Sequence, residues 1–158
     1  MAETMTTGVY DDLDNKYLTF NIGEEVHGIE LAKVTEIIGV QHITYVPDLP
    51  DYIVGLINLR GKVVPAIDAR RRMGYEPREY DEKTCTLIAE YQDEYIGLLV
   101  DCVEEVLAAE PDEIAEPPKS SSKDKNRFLK QVIQHGGKVV TIVDTEKLFA
   151  HDQEEAQE

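Results

Sequence analysis

Tyr17 to Ile38 reads YLTFNIGEEVHGIELAKVTEII and Thr86 to Leu107 reads TLIAEYQDEYIGLLVDCVEEVL; a shift of 69 positions lays one on the other without a gap. Under it Leu18 meets Leu87, Glu25 meets Glu94, Gly28 meets Gly97, Val34 meets Val103 and Glu36 meets Glu105. A second match follows in the same order at an offset of 76: Gly61-Lys62-Val63-Val64 and Ile67-Asp68 are answered by Gly137-Lys138-Val139-Val140 and Val143-Asp144. The polar stretch Pro118 to Asn126 absorbs the extra residues of the second copy. Two copies are too few for an open repeat array, which needs about three units to bury its faces. A body built from two similar modules, about 17–74 and 86–150, with a cleft between them is the simpler arrangement.

Within each copy the pattern is that of short strands. Leu18, Phe20 and Ile22 alternate with polar residues, as in a half-buried strand. Gly23-Glu24-Glu25 turns the chain and Val26 to Ile29 returns it as a hairpin. Glu30 to Lys33 reads as one turn of helix leading into another short strand. Pro47 and Pro50 then interrupt the chain, Tyr52 to Leu59 is largely apolar, and Arg60-Gly61 marks a tight turn before Lys62 to Ile67. Pro65, which has no N–H for the ladder, belongs at an edge or a bulge. The second copy repeats the plan with strands at Leu87 to Tyr91, Tyr95 to Val100, Val103 to Leu107 and Val139 to Val143, then a short helix at Thr145 to Ala150. Many short strands with regular turns point to small barrels or a sandwich.

The chain has 158 residues, enough for one domain or for two small modules sharing a core. A net charge of −16 argues against nucleic acid and against insertion at an anionic membrane face. The first sixteen residues contribute −3 and the last eight −4, and both ends read as disordered acidic arms. No apolar run follows Met1 and no stretch is long enough to span a bilayer, so a cytoplasmic location is expected. Cys85 and Cys102 sit inside apolar runs and form no disulfide framework.

Chemistry is harder to find. The four histidines are scattered, without metal-ligand spacing. Ser120 and Lys123 match S-x-x-K only in a run of Ser and Lys. Asp11, Asp12 and Asp14 lack the glycine and closing glutamate of a calcium loop. No phosphate-cradling glycine motif occurs. Arg70-Arg71-Arg72 reads as a helix end whose charges oppose nearby carboxylates. The expectation is therefore a binding module with no catalytic residues, cofactor or metal. One rival is an enzyme with an unrecognised active site, but no cluster of His, Cys or carboxylates lies near a Gly-rich turn. A second is a general SH3-like adaptor for Pro-rich peptides, for which the absence of Trp and the three Phe make a thin aromatic platform.

The segment Val46 to Pro65, VPDLPDYIVGLINLRGKVVP, resembles the CheW-type chemotaxis coupling proteins. Its N-L-R-G core is intact, with Pro65 and Asp68 following at the family's spacing. The G-I-x-L-x-x-V-x-E-I run at Gly28 to Ile37 and G-L-L-V-D-x-V at Gly97 to Val103 match as well, so the resemblance extends over about Tyr17 to Ala150. Ala69, where the family usually has leucine, and Lys130-Gln131, where it often has glycine, depart from the pattern. At this length there is no room for the receiver domain of the CheV type, nor for a kinase's phosphotransfer and ATP-binding segments.

The resemblance implies two five-stranded SH3-like β-barrels packed together, with short helices; the repeat leaves open whether the barrels exchange strands. It implies a non-enzymatic scaffold that binds the cytoplasmic helical hairpin of methyl-accepting chemoreceptors and the regulatory domain of the histidine kinase CheA. A bundle of amphipathic helices calls for an apolar groove with a polar rim. By resemblance the stretch containing Val34 and Ile37, with Val103 and Val106 in the second copy, lines that groove. Arg60, at a turn where it has no packing duty, and Glu36 are the expected polar contacts. No motif identifies the kinase-facing residues.

Overall fold

The computed structural model describes residues 13–117 and 125–150. The acidic arm before Leu13, the tail from His151 and the Ser120–Lys123 stretch lie outside the described residues. The chain is mainly β. β1 (Lys16–Ile22) and β2 (Glu25–Glu30) form the first hairpin, and a 3-10 turn (Leu31–Lys33) leads into β3 (Val34–Ile38). β4 (Ile53–Leu59) and β5 (Lys62–Asp68) form the next, followed by α1 (Ala69–Met73). The second copy supplies β6 (Cys85–Tyr91), β7 (Glu94–Val100), β8 (Cys102–Ala108), the two-residue β9 (Ile114–Ala115), β10 (Leu129–His135), β11 (Lys138–Val143) and α2 (Thr145–Phe149).

The two copies exchange strands. One sheet runs β8-β1-β2-β11-β10-β9 and the other β3-β6-β7-β5-β4. Each sheet thus takes its leading hairpin from one copy and its remaining strands from the other. The register respects the repeat: Val34 pairs with Ala89 on β6 and Val103 with Phe20 on β1, and a bulge follows in both pairings. Two short parallel ladders, β2 with β11 and β5 with β7, join the exchanged pieces. Each sheet then curls into a barrel. The chain leaving β3 reaches Thr44, which bridges Leu56 on β4 through hydrogen bonds of 2.8 and 2.9 Å. The chain leaving β8 forms β9, which pairs with β10.

Among the described residues this arrangement gives three apolar clusters. Ile57, Val64, Ala66, Ile88 and Leu99 fill the β4–β7 barrel. Tyr17, Leu107, Ala109, Ile133, Val140 and Ile142 fill the other. Between the barrels lies the largest cluster, with Phe20, Ile22, Leu87, Leu98, Val100 and Phe149. β7 explains why a run such as Ile96 to Val100 is apolar throughout: Leu99 faces its own barrel while Leu98 and Val100 face the seam. Each such large side chain buried contributes about 2 kcal/mol. Pro65 sits where β5 pairs with β4 but has not yet met β7, so no ladder bond is lost.

A polar clamp reinforces the seam. Arg70 of α1 donates two hydrogen bonds to Asp101, from Nε at 2.9 Å and Nη2 at 2.7 Å, and the Gly23 N–H in the β1–β2 turn donates to the same carboxylate at 2.7 Å. Burial alone would raise the Asp101 carboxyl, but the Arg70 fork and the Gly23 N–H outweigh it and hold the group below the usual range. A depressed folded-state pKa stabilises the fold above the unfolded value, near 3.9, and that contribution disappears as pH falls through the lower folded value. Asp101→Asn should therefore lower stability at neutral pH by about 2 kcal/mol, with the difference from wild type shrinking below about pH 4 in urea melts. A constant difference from pH 7 to pH 2 would contradict the clamp.

Candidate functional site

The Arg60-Gly61 turn has φ of 51° at Arg60 and 88° at Gly61. Positive φ at both central residues is the twist-matched hairpin turn, and Asn58 supports it by accepting the Gly61 N–H at 2.8 Å. Arginine at such a position projects beyond the barrel. Its guanidinium meets Glu36 on β3 edge-on, with Nη1 donating to Oε2 at 2.8 Å and Nη2 to Oε1 at 2.5 Å. β3 and β4 are the opposite ends of the five-stranded sheet, so this fork spans the closure of the barrel.

The pair sits at the surface, with 70% of the Arg60 side chain and 29% of Glu36 exposed. The hydrogen bond from Arg60 holds the Glu36 carboxyl below its ordinary range, and the same bond raises the guanidinium. In water an exposed pair adds little to stability, so its value lies in geometry. Two of the five guanidinium N–H groups are committed to Glu36, and on a side chain 70% exposed the others remain available to donate. Thr35, Leu59, Lys62, Ile88 and Tyr95 complete a hollow of about 350 Å³ around the pair. Lys62 lies over the Tyr95 ring at 5.1 Å, and the Thr35 hydroxyl donates to the Ile88 carbonyl at 3.1 Å.

The four apolar candidates divide in two. Val34 and Val103 are half-buried and pack against the seam cluster. Ile37 and Val106 are exposed, at 45% and 52%. They occupy equivalent positions: Ile37 pairs with Leu87 and Val106 with Leu18, and β3 and β8 each end their sheet. The second barrel lacks the arginine fork, since the 76-residue offset carries Arg60 onto Gly136. There Glu105 faces Lys138 at 3.6 Å instead. The polar rim is therefore lopsided, strong on the β4–β5 side.

In the sequence Arg60 and Glu36 are separate candidate contacts, and nothing there signals their pairing or the places of Thr35, Lys62 and Tyr95 beside them. With the partners 24 positions apart, no local pattern signals the bond. No group of three metal-binding side chains occurs among the described residues, and no helix among them is long and apolar enough to cross a membrane.

The CheW-like domain family matches residues 16–153. Chemotaxis protein CheW of Klebsiella aerogenes is 31% identical over 143 residues, covering 90% of this chain and 86% of that protein. A probable chemotaxis protein CheW of Rhizobium etli is 32% identical over 144 residues, covering 90% and 92%. The crystal structure of the scaffolding protein TtCheW from Thermoanaerobacter tengcongensis superposes with a TM-score of 0.80 at 32% identity, covering 85% of this chain and 92% of that one.

Proposed function

We propose, from the premise that this chain belongs to the CheW family of chemotaxis scaffold proteins, that it couples the cytoplasmic helical hairpin of chemoreceptors to the regulatory domain of the kinase CheA and catalyses no reaction of its own. The observation carrying this reading is the Arg60–Glu36 fork at the rim of a hollow, with Ile37 exposed one residue further along β3. A helix laid along that edge brings its apolar side chains against Ile37 and a carboxylate or carbonyl within reach of Arg60. Val106 offers an equivalent apolar step on the other barrel. Val34 and Val103 act from beneath: packed into the seam, they set the position of β3 and β8. The site of action is then cytoplasmic, at receptor tips, reached through partners rather than by insertion.

Glu36 has a specific duty here. Without it the guanidinium regains rotamer freedom and must be ordered on binding, which costs about 1 kcal/mol. Arg60→Ala removes the donor itself. We expect Arg60→Ala to weaken pull-down of receptor hairpin fragments at least about tenfold and Glu36→Ala about fivefold, with both variants melting like wild type because the pair is exposed. Wild-type binding by both variants would remove the fork from the site. Loss of cooperative melting in either would make its role structural.

A further inference from the structure

A second cleft lies at the other end of β4. Val54, at its start, and Leu59, beside Arg60, are separated by about 17 Å of extended strand, so a partner seated at one need not displace a partner at the other. Ile43, Val54, Asp68, Arg71, Pro77, Arg78, Glu79 and Tyr80 line this cleft, whose volume is about 680 Å³.

Its polar groups are not equivalent. Asp68 is 3% exposed and already engaged: it accepts the Tyr80 hydroxyl at 2.6 Å and the Arg71 N–H at 3.2 Å. Burial and that hydrogen bond push the Tyr80 phenol up, so it remains a donor locked onto Asp68. The two guanidiniums are differently placed. Among the described residues Arg71 has only Asp68 as an ion partner, at 3.9 Å, and Arg78 has Asp81 at 3.7 Å and Asp101 at 3.5 Å. None of these is within good hydrogen-bonding distance, and the Asp101 oxygens are occupied by Arg70. Two arginine forks therefore retain open donors in a chain of net charge −16. The walls between them are apolar, from Ile43, Val54, Pro77 and the Tyr80 ring. Tyr45, two residues beyond Ile43 along the extended segment, is 76% exposed.

We propose that this cleft docks a partner protein segment presenting a single carboxylate flanked by apolar side chains. Arg71 and Arg78 receive the carboxylate, and the apolar walls with Tyr45 cover its neighbours. Glu79 on the lining disfavours a run of acidic residues, which separates this site from a general anion patch. The site goes beyond the Arg60 reading and stands without it.

The test titrates isotopically labelled protein with the capped tripeptide acetyl-Leu-Glu-Leu-amide, its glutamine analogue and sodium acetate, following backbone amide signals by NMR. The glutamate peptide should shift Arg71, Arg78 and Tyr80 saturably below about 10 mM, and the glutamine analogue should bind about fivefold more weakly or worse. The doubly substituted Arg71→Gln, Arg78→Gln protein should lose the response while melting as wild type, and Arg60→Ala should keep it. No saturable shift, equal binding of both peptides, or the same shifts with acetate alone would each overturn the proposal. Failure at this cleft leaves the receptor pull-down unaffected, so the two readings fail separately.

Discussion

Gly55→Ala should lower stability by about 3 kcal/mol, a large part of what a domain of this size has to spare. The reason is the closure of the β4–β7 barrel. Gly55 has φ of 152°, and a Cβ there would stand 2.4 Å from the Thr44 carbonyl oxygen and 2.6 Å from Ile43 Cγ2. The contact with Thr44 is to backbone, so it cannot be relieved by a side-chain rotation. It falls on the residue whose two hydrogen bonds to Leu56 close the barrel. The segment from Gly39 to Tyr45 would have to move outward and with it the far end of β3. Gly39→Ala is the control, because a Cβ there meets nothing within 4 Å; it should stay within about 0.5 kcal/mol of wild type. Urea midpoints measure both. Equal midpoints for Gly55→Ala and wild type would mean that Thr44 does not close the sheet.

Arg72→Ala should cost about 4 kcal/mol and release α2. The side chain is 4% exposed. Its Nε donates to the Leu148 carbonyl at 2.8 Å, and Nη2 donates to Lys147 and Ala150 carbonyls at 3.0 and 2.8 Å. Its guanidinium also lies over the rings of Tyr52 and Phe128, at 4.3 and 4.8 Å. A helix of five residues does not hold itself in water. The arginine satisfies the carbonyls at its end and keeps Leu148 and Phe149 in the seam. Alanine leaves those acceptors without this donor and opens a void between the rings. Arg72→Lys should recover only part of the loss, since an ammonium cannot match three carbonyls in one plane. Hydrogen exchange of Leu148 and Phe149 should quicken more than that of Leu87 and Leu98. Uniform quickening across all four would show that α2 and the barrels unfold together.

The parts of this fold legible in the sequence are those with local causes. β1, β2, β6 and β7 show alternating or continuous apolar residues and turn residues between them, and the Arg60-Gly61 turn declares itself before Lys62. Each acted within a few residues. β10 carries no such signal because Lys130, Gln131 and Gln134 break its pattern; a bulge between Leu129 and Gln131 carries the chain through. β9 has no signal of its own, since two residues become a strand only by meeting β10. The repeat located equivalent strands but could not say which copy's hairpin each barrel receives, and the register of β3 against β6 answers that.

The candidate site shows the same division. Val34 and Ile37 look alike in sequence, and the bulge after Val34 sets both opposite the same face of β6, at Ala89 and Leu87, yet Val34 packs against the seam while Ile37 stays exposed. Position alone makes Arg60 a solvated turn arginine, and it is the resemblance of its N-L-R-G core to the CheW family that singles it out; its partner Glu36 is marked by the acidic counterpart Glu105. Their bond is a product of barrel closure, which joins the ends of a sheet. The arginine triplet reads in sequence as charges opposing carboxylates, which describes Arg70 with Asp101 and Arg71 near Asp68. Arg72 turns inward to carbonyls instead, a partner set that lies more than seventy residues away.

Coupling requires both partners at once, so the decisive measurement is co-sedimentation of a receptor hairpin fragment, the kinase regulatory domain and this chain. The account predicts that the kinase domain pellets with the receptor fragment only when the chain is present, and that Arg60→Ala abolishes this bridging while the variant still binds the added kinase domain in the supernatant. Kinase domain that pellets equally without the chain, or a chain that binds neither component, would contradict it.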